Sequence, residues 1–342
     1  MPGSDESADL QHAARAARPI CLITGATGAL GPAVVAALAR THDIRTFSRQ
    51  PPPPGLFDRA VTVFTGDITD RTKVRRAAAG ADVIVHMAAL LHKVNPGPHR
   101  RADYERVNVE GTAVAAEAAR SEGARRFVYL STIAVYGPHQ GEIDEASIPA
   151  PDTMYGETKL AAERIALAGR AQDGAALTTV LRSAAVYGAR VKGNYRSLVQ
   201  AIDRRRFVPV GRGDNRRTVV FEADLAAAIA LAATHPDAPG RIYNVSDGTF
   251  HRMRAILDEI AAALDRRLPR WHLPVPFVRM SAGLIGMLDG RVPRMVETYL
   301  EDVAVEGLLI QRELGFTPQF DLRRGWTSTI EQMRKAGALR ER

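Results

Sequence analysis

From residue 19 onward, short runs of apolar residues alternate with longer stretches in which apolar positions recur every three or four residues. The runs at Pro19–Thr24, Ile44–Ser48, Val61–Phe64, Asp82–His86, Arg126–Ser131 and Thr178–Arg182 read as strands, the first of them buried. Helical spacing falls between them at Pro32–Arg40, with proline near its start, and at Arg71–Ala79, Asp103–Ser121 and Tyr155–Ala168. This alternation predicts an α/β fold with a doubly wound parallel sheet. Pro51–Pro54 is read as a turn or surface loop, because proline cannot donate to a central ladder. Past residue 188 the pattern turns irregular and proline-rich, with shorter helices near Tyr195–Arg204, Leu225–Thr234, Met253–Leu264 and Arg323–Lys335. The expected organisation is a frayed extension at 1–18, a cofactor-binding domain at 19–188, and a smaller lobe at 189–342. That lobe is expected to bind substrate and to return some elements to the sheet. No repeat at a fixed period is evident.

Composition changes this picture little. The chain has 342 residues, 46% hydrophobic and 25% charged, which suits a soluble enzyme with a large core. One cysteine, Cys21, precludes an internal disulfide, and its apolar run marks it as an inert core residue. A reducing compartment fits that usage, no secretory pattern is visible in residues 1–18, and a cytoplasmic location is expected. Net charge is +8, which suits an anionic partner. The arginines are dispersed and no nucleic-acid motif accompanies them, so neither nucleic acid nor a metal is an expected partner. The one tight cluster, Arg204-Arg205-Arg206, reads as the solvated end of a helix. Trp271–Leu288 is the most apolar long stretch, yet His272, Arg279 and its prolines and glycines make it a poor membrane span. Core or substrate-lid packing is one reading of that stretch, and contact with a membrane surface is the other.

Between the first strand and the first helix stands Thr24-Gly25-Ala26-Thr27-Gly28-Ala29-Leu30-Gly31, a G-x-x-G-x-x-G spacing. Glycine lets backbone turn tightly and approach a pyrophosphate, and the helix N-terminus offers free N–H groups. Gly25, Thr27, Gly28, Ala29, Leu30 and Gly31 are therefore candidate dinucleotide contacts in a Rossmann-type domain. The second strand ends in Ser48-Arg49 without the acid that would hold an adenosine ribose. Arg49 and Ser48 can instead grip a 2′-phosphate, or Arg49 can stack on adenine, so NAD(P) is expected with a slight lean to NADP. Asp67 and Ile68 can meet the adenine, and small Ala88 and Ala89 leave room for the cofactor chain.

Tyr155 and Lys159 lie four residues apart, on one face of a helix. A nearby ammonium favours a phenolate, and the pairing is expected to lower the tyrosine's pKa into the range useful for moving a proton to or from a hydroxyl or ketone. Ser131-Thr132 precedes this pair and supplies hydroxyls.

Together these residues resemble the extended short-chain dehydrogenase/reductases, in their NAD(P)-dependent nucleotide-sugar epimerase/dehydratase branch. The likeness spans roughly residues 19–335. It is carried by Thr-Gly-Ala-Thr-Gly-Ala-Leu-Gly at 24–31, Val-Asn-Val-Glu-Gly-Thr at 107–112, Leu-Ser-Thr-Ile-Ala-Val-Tyr-Gly at 130–137 and Tyr-Gly-Glu-Thr-Lys at 155–159. The resemblance implies a catalytic set of Thr132, Tyr155 and Lys159, with Ser131 in reserve, and a structural asparagine at Asn108. Lys159 and Tyr155 would also contact the cofactor. By the same likeness Asn194 would reach the substrate's diphosphate and Arg217 a phosphate or ribose. His92, near the loop after the fourth strand, reads first as an exposed loop histidine and second as a residue lining the sugar site.

The implied activity is 4-epimerisation of a UDP-sugar: a hexose, hexuronate or N-acetylhexosamine. An NADPH-dependent 4-keto-sugar reductase is the alternative, reduction of a sterol or flavonoid ketone comes next, and a non-catalytic dinucleotide sensor is the alternative of another class. Ile133-Ala134 stands where a 4,6-dehydratase would carry Asp-Glu. A homodimer through the helices at 103–121 and 155–168 is also implied.

Overall fold

The computed structural model describes residues 18–91, 101–286 and 291–339. Its strands are β1 (Ile20–Thr24), β2 (Asp43–Ser48), β3 (Thr62–Thr65), β4 (Val83–His86), β5 (Arg126–Thr132), β6 (Thr178–Ser183), β7 (Ala185–Tyr187), β8 (Arg216–Phe221), β9 (Ile242–Val245) and β10 (Phe250–Arg252). Seven of them form a wholly parallel sheet in the order β3-β2-β1-β4-β5-β6-β9. This is a doubly wound Rossmann-type α/β fold. A smaller sheet, β10-β8-β7, pairs β7 and β8 in parallel and β10 antiparallel to β8.

Strands β4 and β6 are buried along their whole length, polar residues included, because helices cover the two faces of the sheet. On one face lie α1 (Gly31–Leu38) and, much later in the chain, α7 (Glu222–Thr234), whose Val34, Leu38, Leu225 and Ile229 share one core with β1, β4 and β9. On the other lie α2 (Arg71–Ala78), α4 (Gly111–Ser121) and α5 (Met154–Ala168), through Val74, Ala77, Val114, Ala119, Ala162 and Ala166. A third core gathers β7 and β8 with α6 (Asn194–Asp203), α8 (Met253–Leu264) and α11 (Leu322–Lys335) around Trp326, Tyr187 and Phe221.

Helix ends carry their own causes. Asp70 caps α2 by accepting from the Lys73 N–H at 3.1 Å, and Thr153 caps α5 by accepting from the Gly156 N–H at 3.1 Å. The helix expected at 103–121 starts two residues earlier, as α3 (Arg101–Tyr104), and passes through a π-helical stretch at Glu105–Glu110 before α4. A π turn holds one extra residue, which apolar spacing alone does not reveal.

Cys21 is fully buried and burial pushes its thiol up, as an inert core residue requires. The segment after α8 departs from core packing. It forms α9 (Val275–Gly286) and, beyond it, α10 (Arg291–Leu300), and its Trp271, Phe277 and Met280 are exposed. No described helix is long and apolar enough to cross a membrane.

Candidate functional site

The glycine-rich turn leaves β1 at Thr24 and enters α1. Gly25 has φ +75°, and a Cβ there would lie 2.8 Å from the Ala88 backbone. At Gly31 a Cβ would come within 1.7 Å of the Ala26 carbonyl oxygen, so only glycine lets the helix start this close to the strand. The Gly25 N–H donates to Phe47 O and the Gly28 N–H to Gly25 O, both at 2.9 Å. Thr27, Gly28, Ala29 and Leu30 thereby stand at the mouth of α1, with Ala88 and Ala89 following the neighbouring strand β4.

At the end of β2, Ser48 is buried and its Oγ has no hydrogen-bond partner among the described residues, while Arg49 is exposed beside it. A bare turn at a helix N-terminus and an unpartnered hydroxyl beside it fit a bound dinucleotide. Asp67 and Ile68 fit the expected adenine contact less well. The Asp67 carboxylate accepts from the Thr69 N–H and hydroxyl at 3.0 and 2.8 Å and from Arg106 at 3.0 Å. Those bonds, the Thr69 amide first, hold its pKa down at about 2. Ile68 is buried and packs on Gly111, where a Cβ would lie 2.6 Å from its Cγ2.

β5 delivers Ser131 and Thr132 to opposite environments, as pleating requires. Thr132 is half-buried and its Oγ1 accepts from the Ala134 N–H at 3.2 Å. Ser131 is buried and donates to Glu163, which removes it from the reserve role. Glu163 is a residue the sequence reading missed, although it repeats the four-residue step from Lys159 along α5. It forms a buried ion pair with Arg182 at 2.7 Å. Arg182 donates to the Tyr136 hydroxyl at 2.9 Å, which donates in turn to Asn244 at 2.9 Å.

Lys159 is buried on the same helix. Its Nζ donates to Leu130 O at 2.6 Å and lies 4.1 Å over the Tyr129 ring. Burial brings its pKa down to about 7, against the upward pull of Glu163. The expected lowering of Tyr155 is not what the folded chain shows. Burial raises the Tyr155 pKa, and Tyr104 adds to the rise. Asn108, in the π-helical stretch, clamps this region. Its Oδ1 accepts from the Leu90 N–H at 2.7 Å, and its Nδ2 donates to Leu90 O at 3.2 Å and Thr158 Oγ1 at 3.1 Å. His86 beneath it pairs with Thr24 at 2.7 Å and Thr112 at 3.1 Å, and burial takes its pKa down to about 3, so the ring is neutral.

Thr132 and Tyr155 open onto a cleft of about 630 Å³. Its far wall carries Arg217, Arg279, Glu297 and Glu301. Arg217 donates to Thr298 O and Glu301 O, each at 3.2 Å, with the Glu301 carboxylate 4.0 Å away. Burial raises the Glu301 pKa, and Arg217 opposes the rise. The structure thus unites Thr132, Tyr155 and Arg217 in one cavity. It does not add Asn194, which is exposed at the start of α6 and lines a separate cavity of about 40 Å³ with Tyr187, Tyr195 and Trp326. The physical reason is that α6 packs into the third core rather than over the cleft. His92 lies outside the described residues. His139 and Asp152 also line the cleft; the sequence reading passed over both, though His139 directly follows the Gly137-Pro138 turn after β5. The described residues hold no cluster suited to a metal.

The sequence model of the NAD dependent epimerase/dehydratase family matches residues 21–246. A UDP-glucose 4-epimerase of Vibrio cholerae is 29% identical over 329 residues, covering 92% of this chain and 95% of that protein. A 3 beta-hydroxysteroid dehydrogenase/Delta 5-->4-isomerase of Mycobacterium tuberculosis is 30% identical over 333 residues, covering 90% and 89%. The solved structure of MoeE5 in complex with UDP-glucuronic acid and NAD superposes with a TM-score of 0.75 at 26% identity, covering 92% of this chain and 99% of that one.

Proposed function

The chain belongs to the NAD-dependent epimerase/dehydratase family, and from that premise we propose that it is a nucleotide-sugar 4-epimerase. It is an NAD(P)-dependent enzyme of the extended short-chain dehydrogenase/reductase type. The substrate assigned to it is a UDP-hexose, UDP-hexuronate or UDP-N-acetylhexosamine. The carrying observation is the single cleft that places Thr132 and Tyr155 opposite Arg217. A guanidinium there suits the oxygens of a nucleoside diphosphate.

Bound NAD(P) supplies the hydride acceptor and donor. Gly25, Thr27, Gly28, Ala29, Leu30 and Gly31 would hold its pyrophosphate, Ser48 and Arg49 its adenosine end, and Lys159 its nicotinamide ribose. Tyr155 takes the proton of the sugar 4-hydroxyl and returns it once the 4-ketone has turned in the cleft. Thr132 donates to the same oxygen and steadies the charge that develops there. Lys159 would add a positive charge on the Tyr155 face of α5 when it is protonated, and Glu163 opposes the fall in its pKa that burial brings. In this reading residues 19–188 carry cofactor and catalysis, and 189–342 supply most of the substrate wall.

A second reading has support of its own. Trp271, Phe277 and Met280 stand exposed on the segment that sends Arg279 into the cleft, and a hydroxysteroid dehydrogenase is among the relatives. An apolar alcohol or ketone would exploit them. Mass spectrometry of ligands retained by the purified protein separates the two readings. A dinucleotide with a UDP-sugar supports the epimerase; a dinucleotide with a sterol-like compound supports the second reading and overturns the first.

The assembly assigned with this function is a two-fold dimer. The outer faces of α3, the π-helical stretch, α4 and α5 form an open groove that includes Val109, Ala113, Ala161 and Ile165. Pairing of this surface with its copy is an isologous contact. Sedimentation at micromolar concentration checks it, and a monomer there would count against it.

A further inference from the structure

Trp271, Phe277 and Met280 are 61, 55 and 61% exposed. Phe277 and Met280 are three residues apart on α9 and share a face. A folded chain seldom presents large apolar side chains this openly within one short stretch unless something covers them.

The surroundings of this stretch are basic. The Leu273 N–H donates to Pro209 O and the Gly211 N–H to Leu273 O, both at 2.9 Å. These bonds tie the residues that follow Arg204-Arg205-Arg206 to the residues that follow Arg270-Trp271. Arg205 and Arg267 line one surface cavity. Arg204, Arg205, Arg206, Arg267 and Arg270 are all exposed. The ion pairs described nearby engage Arg266 with Asp203 and Arg279 with Glu297, and leave those five without an acidic partner among the described residues.

We propose that this face is a docking surface for an anionic lipid bilayer, on which the protein lies peripherally. Each part has a place in that arrangement. An indole sits well at headgroup depth, and Phe277 and Met280 enter the acyl boundary. The arginines meet anionic headgroups while their methylene stems lie along apolar surface. No described helix is long and apolar enough to cross the bilayer. Because α9 also sends Arg279 into the cleft, docking brings the cleft mouth next to the lipid. The docking depends on no particular reaction in the cleft.

The test is co-sedimentation of the full chain with sucrose-loaded vesicles of phosphatidylcholine alone or mixed with phosphatidylglycerol. Tryptophan emission is recorded in parallel. Trp326 is 1% exposed, so a change in emission on binding reports Trp271. The expected result is sedimentation with anionic vesicles only, a blue shift, and release by high salt. The variant Trp271→Ser/Phe277→Ser/Met280→Ser and the variant Arg204→Glu/Arg205→Glu/Arg270→Glu should each lose roughly tenfold or more of the partitioning. Both keep the far-ultraviolet circular dichroism and dinucleotide binding of the parent, since every altered side chain is exposed. Four results would overturn the assignment: no sedimentation with anionic vesicles, equal sedimentation with neutral ones, an unshifted emission, or unchanged partitioning in either variant.

Discussion

At the C-terminal ends of β1, β4 and β5 the side chains are fixed by neighbours on adjacent strands or on one helix. Gly25 is held against Ala88, Asn108 clamps Leu90 to Thr158, and Lys159 is pinned to Leu130 above the Glu163–Arg182 pair. Across the cleft, Arg217 is positioned by carbonyls of Thr298 and Glu301, 81 and 84 residues further along the chain. Glu301 and Thr298 flank the end of α10, and Arg279 comes from α9. The chemical side is thus over-determined and buried, whereas the substrate side is assembled from distant, partly exposed pieces. Such a division lets one reaction centre be kept while the wall that selects the substrate changes.

If the chemical side is locked from within, breaking its buried pair is the largest single insult. Arg182→Met leaves Glu163 buried without its counter-charge and should cost about 3–5 kcal/mol of folding stability. Denaturant unfolding measures it. A loss indistinguishable from that of a surface arginine would show that the pair does not hold the site. Tyr155→Phe comes next. It removes the proton carrier and should lower turnover by roughly 100-fold or more, while dinucleotide binding survives. Near-parental turnover would take Tyr155 out of the chemistry.

Lys159 gives a subtler signature. Its pKa falls from 10.5 to about 7 in the folded chain, so above pH 7 the folded state has given up a proton that the unfolded state keeps. Stability therefore rises with pH across the window that begins near 7. His86 contributes only at lower pH, since its pKa moves from 6.5 to about 3. Lys159→Met should flatten the rise between about pH 7 and 9, as read by denaturant midpoints at each pH; an unchanged slope would mean the lysine is not desolvated. The smallest expected effect lies on the other wall. Arg217→Ala should raise KM for a nucleotide sugar by about tenfold and leave kcat within about twofold, the pattern of lost uniform binding. An equal fall in kcat would move Arg217 to the chemical side and dissolve the contrast.

The same contrast explains what was legible in the chain. Six strands of the large sheet, their parallel sense and the dinucleotide turn follow from periodicity and from glycines whose neighbours are a few residues away or one strand across, whereas β9 and the smaller sheet lie in the irregular half of the chain and are not read as strands. Tyr155 and Lys159 stood out because their helical spacing came together with the glycine turn and Ser131-Thr132, and their catalytic role came from the resemblance that those motifs carry. The substrate wall was not legible in that way, because Asn194 and Arg217 are brought to their places by long-range packing. The packing of α6 against Trp326 and Tyr195 takes Asn194 away from the cleft, and no local pattern announces that. The tyrosine's raised pKa was missed for a related reason: spacing reveals proximity but not burial. Glu163 was within reach, one further four-residue step along α5.

The most direct test is to supply UDP-glucose, UDP-glucuronate and UDP-N-acetylglucosamine separately to the protein with only the dinucleotide it retains, and to follow the sugar's C4 configuration by proton NMR. The 4-epimerase account predicts that at least one of them converts to its 4-epimer, with no net change in nicotinamide absorbance. No epimerisation of any of them, together with steady consumption of added NADPH on a 4-keto sugar or a sterol-like ketone, would contradict it.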